Sequence, residues 1–211
     1  DLLQTPEGAI SRRTTEMHIV PPSGRPLRYP FEGMMLNRVL HDEWLVDLAS
    51  SKGAKYLTGA RVESVNGETV TLRDGRNFHG KIIVGAGGHN DPLRRARWSE
   101  SSLKIPIKFV LMEGEFGDAV ELHFGSMAPG GYAWVFPKER GANIGLGIQN
   151  KFSKGRSLNS LAEGFISNYE GDITFRGAGS LPMSGSIKQF VKGNHLLVGD
   201  SAGMVLPSNG A

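Results

Sequence analysis

The 211 residues carry 24 lysines or arginines, 21 aspartates or glutamates and no cysteine, for a net charge of +3. The near balance of charge excludes a polybasic nucleic-acid surface. The missing thiols exclude disulfides, thiolate metal sites and a cysteine nucleophile within these residues, and no apolar run reaches the length of about 18 residues that a spanning helix needs.

Residues from about Ala9 to Val20 and from Leu27 to Leu36 flank the turn PPSGRP and predict a hairpin. The segment NRVLHDEWLVDLASSKGA follows, with Val39, Leu40, Trp44, Leu45 and Leu48 at helical spacing and Gly53 as its stop. Beyond it KYL predicts a short strand. ARVESV and ETVTL predict a hairpin about Asn66-Gly67, a dipeptide suited to a type I′ turn. Asp74-Gly75 marks another turn on the way to the apolar strand of KIIVGAGG.

Between Ile105 and Gln149 the stretches IKFVLMEGEF, AVELHFGS, GYAWVFPKE and ANIGLGIQ read as strands separated by short loops, which favours antiparallel pairing. SLNSLAEGFISNY predicts a helix with Leu158, Leu161, Phe165 and Ile166 on one face and Ser157 as N-cap. ITFRGAGSLPMSGS leads to the closing strand HLLVG. The 29 glycines fall in short groups such as Gly85, Gly87 and Gly88, which mark turns and close backbone approaches.

Chemistry concentrates in a few places. At Gly199-Asp200 an apolar strand delivers a carboxylate at its carboxyl end, where open α/β sheets bind ligands and where sugar hydroxyls find an acceptor. The plainer reading is an N-cap aspartate on a tight strand-to-helix turn. Arg38 stands at a helix start, against the macrodipole. Tyr132, Trp134 and Phe136 alternate along one strand and share a face, either as a ligand wall or as an aromatic core. Arg94, Arg95 and Arg97 read as a solvated basic face. The six histidines, His41, His89 and His123 among them, have no metal-ligand spacing and read as surface or turn residues.

Taken together, Arg38 with its helix, TGARVESV, KIIVGAGG, GYAWVFPK with GANIGLGI, and VGDSAGMVLP resemble the geranylgeranyl reductase family of flavoproteins, within the p-hydroxybenzoate hydroxylase-like group. The resemblance runs from about residue 30 to the end. It implies an α/β fold with α+β character. A partial FAD-binding, Rossmann-like domain would occupy 37–102 and 186–211, and an antiparallel-sheet substrate domain 1–36 and 103–185.

By the same resemblance Arg38 would contact the FAD pyrophosphate region, and a backbone group at Val62 would hold the adenine. Asp200 would bind ribityl or ribose hydroxyls, with Gly199 and Gly203 giving backbone access to the flavin and Pro207 and Gly210 lining its ring. Tyr132, Trp134 and Phe136 would wall a prenyl channel. The implied activity is reduction of carbon–carbon double bonds in the prenyl chain of an isoprenoid or lipid, with electrons from an external donor. No residue declares itself as the catalytic acid. The expected setting is cytoplasmic, with peripheral membrane contact for a lipid substrate.

Two departures stand out. Gly87 replaces the aspartate of the family's GADG stretch, which removes any polar role of that aspartate. The GxGxxG fingerprint is absent, as is a helix after Gly210, so the expectation is an internal portion of a longer flavoprotein. An aromatic hydroxylase or halogenase on the same FAD scaffold, and a non-catalytic module binding a lipid or protein, are the alternatives.

Overall fold

The computed structural model describes residues 4–99 and 103–205; Pro207 and Gly210 lie outside them. The chain forms two compact units, Asp1–Tyr56 with Pro106–Gly179 and Leu57–Ile105 with Ser180–Ala211.

The first unit is built on a seven-stranded sheet of order β11-β7-β10-β9-β8-β1-β2. β1 (Ile10–Val20) and β2 (Leu27–Leu36) form the hairpin predicted from the proline- and glycine-rich turn. β7 (Lys104–Glu113), β8 (Val120–His123), β9 (Tyr132–Lys138) and β10 (Gly141–Gly147) follow, and β11 (Asp172–Pro182) closes the other edge. β7, β10, β9 and β8 pair antiparallel, as expected. β1 and β8 pair parallel. The antiparallel expectation fails there because a long connection separates the two strands in sequence, and such a connection is what parallel pairing requires.

The sheet is two-faced because β10 reads GANIGLG. Ala142, Ile144 and Leu146 point to one side and are buried with Val110, Ala133 and Val135 under α3 (Leu158–Ile166). Ser157 caps α3 by accepting the Ser160 N–H, and Leu161, Phe165 and Ile166 enter the core. Burial of each of these large side chains contributes about 1.5–3 kcal/mol.

Gly141, Asn143, Gly145 and Gly147 fall on the opposite face by strand alternation. There Gly145 pairs with Trp134 on one side and Phe109 on the other. A Cβ at Gly145 would stand 2.5 Å from the Trp134 ring and 2.6 Å from the Lys108 carbonyl oxygen, and one at Gly177 2.3 Å from the Phe109 ring. These glycines vacate the space that the aromatic rings fill.

α1 (Arg38–Ser51) belongs to this unit, although the sequence reading grouped it with 57–102. Asn37 caps it by accepting the Val39 and Leu40 N–H groups. None of its residues is buried, and Val39 is 66% exposed.

In the second unit β3 (Val62–Asn66), β4 (Thr69–Leu72) and β5 (Asn77–His79) form an antiparallel meander. Asn66 pairs with Thr69, so the loop is Gly67-Glu68 rather than Asn66-Gly67. Gly67 has φ 55°, and Glu68 is not among the positive-φ residues. Type I′ needs both loop residues there, so the turn has the glycine-first pattern of type II′. KYL is not a strand. β6 (Ile83–Gly85) leaves the meander to pair parallel with β13 (His195–Leu197), which β12 (Val191–Lys192) flanks.

The histidines are not all superficial. His195 is 2% exposed, and its Nε2–H donates to the Gly67 carbonyl at 2.7 Å, tying β13 to the meander turn. His123 packs edge-on against Phe165 at 5.2 Å. Among the described residues no helix is long and apolar enough to cross a membrane.

Gly145→Ala should cost about 1–3 kcal/mol by overpacking against Trp134 and Phe109. Gly164→Ala, at an exposed helical site with open space around the new methyl, should gain about 0.5–1 kcal/mol. Urea unfolding of the two variants should shift in opposite directions; equal shifts would contradict the two-faced packing.

Candidate functional site

β6 and β13 run parallel; β6 ends at Gly85, and β13 ends at Leu197, from which Val198 leads to Gly199. Beyond β6 the chain passes through Ala86 and Gly87 into a 3-10 turn at Gly88–Asn90 and then α2 (Pro92–Arg97). Beyond β13 it enters a second 3-10 turn at Gly199–Ala202. The carboxyl ends of the two strands are thereby brought side by side, the position where open sheets bind ligands.

Asp91 organises this end. Its buried carboxylate caps α2, accepting the Leu93 N–H at 2.8 Å and the Arg94 N–H at 3.1 Å, and it accepts the Gly87 N–H at 2.7 Å. A Cβ on Gly87 would stand 2.8 Å from Asp91 Oδ2, and one on Gly85 2.7 Å from Oδ1 and from Leu197. Asp91 occupies the space that a side chain at position 87 would need, so glycine there is required by this packing. Asp91 is missing from the sequence-derived candidates, although Asp followed by Pro at the first helical position is a helix-start signature.

Arg94 corrects the reading of the basic cluster as a solvated face. It is 6% exposed, and its guanidinium donates to the Ser201 carbonyl at 2.8 Å, linking α2 to the turn after β13. The fully buried Ser201 hydroxyl lies 2.5 Å from the Gly85 carbonyl oxygen and 2.6 Å from that of Val198. The two strand ends are cross-linked by these polar contacts over the core of Leu93, Trp98, Ile187 and Leu197.

Asp200 is exposed, and its carboxylate makes no hydrogen bond or ion pair among the described residues. The cap of its turn is Val198, with no side-chain cap. This removes the N-cap explanation. Gly199, φ 59°, is open around its Cα, whereas Gly203, φ 69°, is buried, and a Cβ there would strike the Gly185 carbonyl. Its need for glycine comes from that packing. Val62 lies with Gly85, Ala86 and Gly87 along a cleft of about 850 Å³ that Arg61, Arg73 and Arg95 also line; Asp200 is not on its wall.

His89 stands in the turn beyond β6, and its Nε2 is 3.0 Å from the Ser180 hydroxyl. Burial first, then the cations Lys104 and Arg94, hold its imidazole below the ordinary 6.5, with Asp200 opposing them.

In the first unit Tyr132, Trp134 and Phe136 lie along β9 on the face away from α3. Neighbouring rings are 5.9 Å apart, and Trp134 Nε1–H donates to Asn143 at 2.8 Å. They are brought together as expected from the alternation. Arg38 also lies in this unit, its guanidinium bonded to Asp42 one turn on at 3.1 Å.

Residues 104–178 match the geranylgeranyl reductase catalytic domain. The chain is similar to members of the geranylgeranyl reductase family. It is 29% identical to digeranylgeranylglycerophospholipid reductase 3 of Methanosphaera stadtmanae over 95% of this chain and 57% of that protein. It is 28% identical to a geranylgeranyl diphosphate reductase of Rhodobacter capsulatus over 97% of this chain and 57% of that protein. A geranylgeranyl bacteriochlorophyll reductase-like structure from Thermoplasma acidophilum superposes with a TM-score of 0.81 at 25% identity, covering 99% of this chain and 59% of that one. The chain thus spans a little over half the length of the family members it matches.

Asp91→Ala should destabilise the protein by about 1–3 kcal/mol, because three backbone donors lose their acceptor. Thermal unfolding measures the loss. A fold that lowers the His89 value favours the neutral ring. Its contribution is complete above about pH 6.5 and fades as the pH falls through the lowered midpoint. NMR titration should place that midpoint below 6.5, and His89→Gln should flatten the acid limb of the stability curve.

Proposed function

We propose that the whole protein containing this chain reduces carbon–carbon double bonds of a prenyl chain in an isoprenoid or lipid, using FAD. The observation that carries this reading is the aromatic row Tyr132, Trp134 and Phe136, held on a sheet face that the core does not use. Its strand lies inside the segment that matches the reductase catalytic domain.

The second unit offers candidate contacts for part of a flavin dinucleotide. Asp200 offers ribityl or ribose hydroxyls an exposed carboxylate that has no hydrogen-bond partner among the described residues. Gly199 leaves the approach open, and Gly203 fixes the left-handed turn that follows. Val62, on the arginine-lined cleft, is the proposed adenine contact; Arg38, the cation that the family resemblance assigns to the pyrophosphate, lies in the first unit and is bonded to Asp42. Bound FAD would supply hydride-transfer chemistry, with its electrons from an external donor.

This chain's own part is to bind, orient and exclude water. The rings of β9 form an apolar, mutually packed row whose half-buried ends, Tyr132 and Phe136, can contact a prenyl chain, and dispersion and desolvation favour an alkene there over water. Trp134 is 8% exposed and fixed through Asn143, so the wall is preorganised. A lipid substrate would bring the protein to a membrane surface as a peripheral visitor, with the protein itself cytoplasmic.

In the full-length protein Asp200→Ala should weaken FAD retention strongly while leaving the apoprotein melting temperature nearly unchanged. Absorbance of the purified variant measures the first and calorimetry the second. Anaerobic incubation with dithionite as the electron donor and a prenyl substrate should give saturated product. Oxygen-dependent formation of a hydroxylated or halogenated product would overturn the reductase reading.

A further inference from the structure

The aromatic row does not end at Phe136. Alternation places Lys138 on the same face of β9, after Tyr132, Trp134 and Phe136. Three apolar steps are followed by one cationic step, over about 20 Å at the strand's rise per residue.

Lys138 lines a cavity of about 510 Å³ within the first unit. Phe109, Leu111 and Val39 supply apolar wall, and Arg38 and Arg140 join Lys138 as cations. Glu113 and Glu139 also line it, both exposed, and neither forms an ion pair with Lys138 among the described residues. The Lys138 ammonium is half-buried and donates to the Leu36 carbonyl at 2.7 Å. An ammonium has three donors, so two remain for a ligand. Burial, and then the charge of Arg38, hold its ammonium below the ordinary lysine range.

A half-buried cation beside apolar wall is complementary to an amphiphile with an anionic head; Phe109, Leu111 and Val39 line the cavity itself, and Phe136, Trp134 and Tyr132 continue along the same face of β9 outside its lining. We propose that Lys138 is a positioning residue, binding the phosphate head of the prenyl substrate and setting the register of the chain along Phe136, Trp134 and Tyr132. This rests on the reductase reading and assigns a role to a residue that the reading leaves unused. Lysine suits it, since a compact point charge can hold a phosphate while one donor stays on Leu36.

The test uses full-length protein with wild-type Lys138, Lys138→Met and Lys138→Arg. Binding of geranylgeranyl diphosphate and of geranylgeraniol is followed by quenching of tryptophan fluorescence, with flavin content and melting temperature measured alongside. Wild type should bind the diphosphate more tightly than the alcohol. Lys138→Met should lose roughly 10- to 100-fold on the diphosphate, the range for one charge-assisted contact, and change the alcohol less than twofold. Lys138→Arg should restore most of the difference.

Equal losses on both ligands, or no loss on either, would overturn the positioning role while leaving the reductase reading in place. A loss confined to flavin content would assign the phosphate to the cofactor instead. Failure of the wild type to bind either prenyl ligand would remove both readings. Where Lys138→Met melts early, Lys138→Gln carries the decision, since it keeps a donor for the Leu36 carbonyl and removes the charge: a diphosphate-selective loss supports the role, and wild-type binding overturns it.

Discussion

The first unit depends on one constraint, the strict alternation along β10. Ala142, Ile144 and Leu146 must enter the core beneath α3, while Gly141, Asn143, Gly145 and Gly147 must stay small on the other side. A slip of one residue would exchange the faces. It would place Ile144 and Leu146 against the Trp134 and Phe109 rings and leave glycine in the core. The pattern that buries the sheet is therefore the same one that opens a surface for large rings, and core and candidate substrate wall are specified by one strand.

The second unit uses small residues for a polar purpose. Gly85 and Gly87 let the Asp91 carboxylate approach the backbone, and the buried Ser201 hydroxyl and Arg94 guanidinium complete the linkage between the ends of β6 and β13. Each of these groups is costly to bury alone and is satisfied by named partners. The resulting rigidity falls at the carboxyl ends of two parallel strands, where an open sheet offers its ligands a floor.

Local patterns were legible in the sequence and distant ones were not. The β1–β2 hairpin, α1, α3 and strands β7 to β10 follow from turn chemistry and periodicity over a few residues, whereas the edge strand β11, rich in glycine and serine, carries no such signal. The parallel β1–β8 pair could not be read, because its partners lie about a hundred residues apart and nothing local names them. Burial of Arg94 and His195 was hidden for the same reason, since their acceptors at Ser201 and Gly67 are remote in sequence. The aromatic row was visible as alternation. Its extension to Lys138 was visible too, but its meaning depends on a cavity that only folding creates.

Asp91 and Asp200 show how burial separates structural from ligand-facing carboxylates. Both follow glycine-bearing turns at the ends of neighbouring parallel strands. Asp91 is 4% exposed and accepts three backbone N–H groups, as a buried charge must. Asp200 is exposed and has no hydrogen-bond partner among the described residues. The fold would lose little if Asp200 were neutral, and it would lose a helix cap and a strand-end clamp if Asp91 were. Among the described residues the fold makes no use of the Asp200 carboxylate, and its place at a strand end where open sheets meet ligands is what supports its proposed role toward the cofactor.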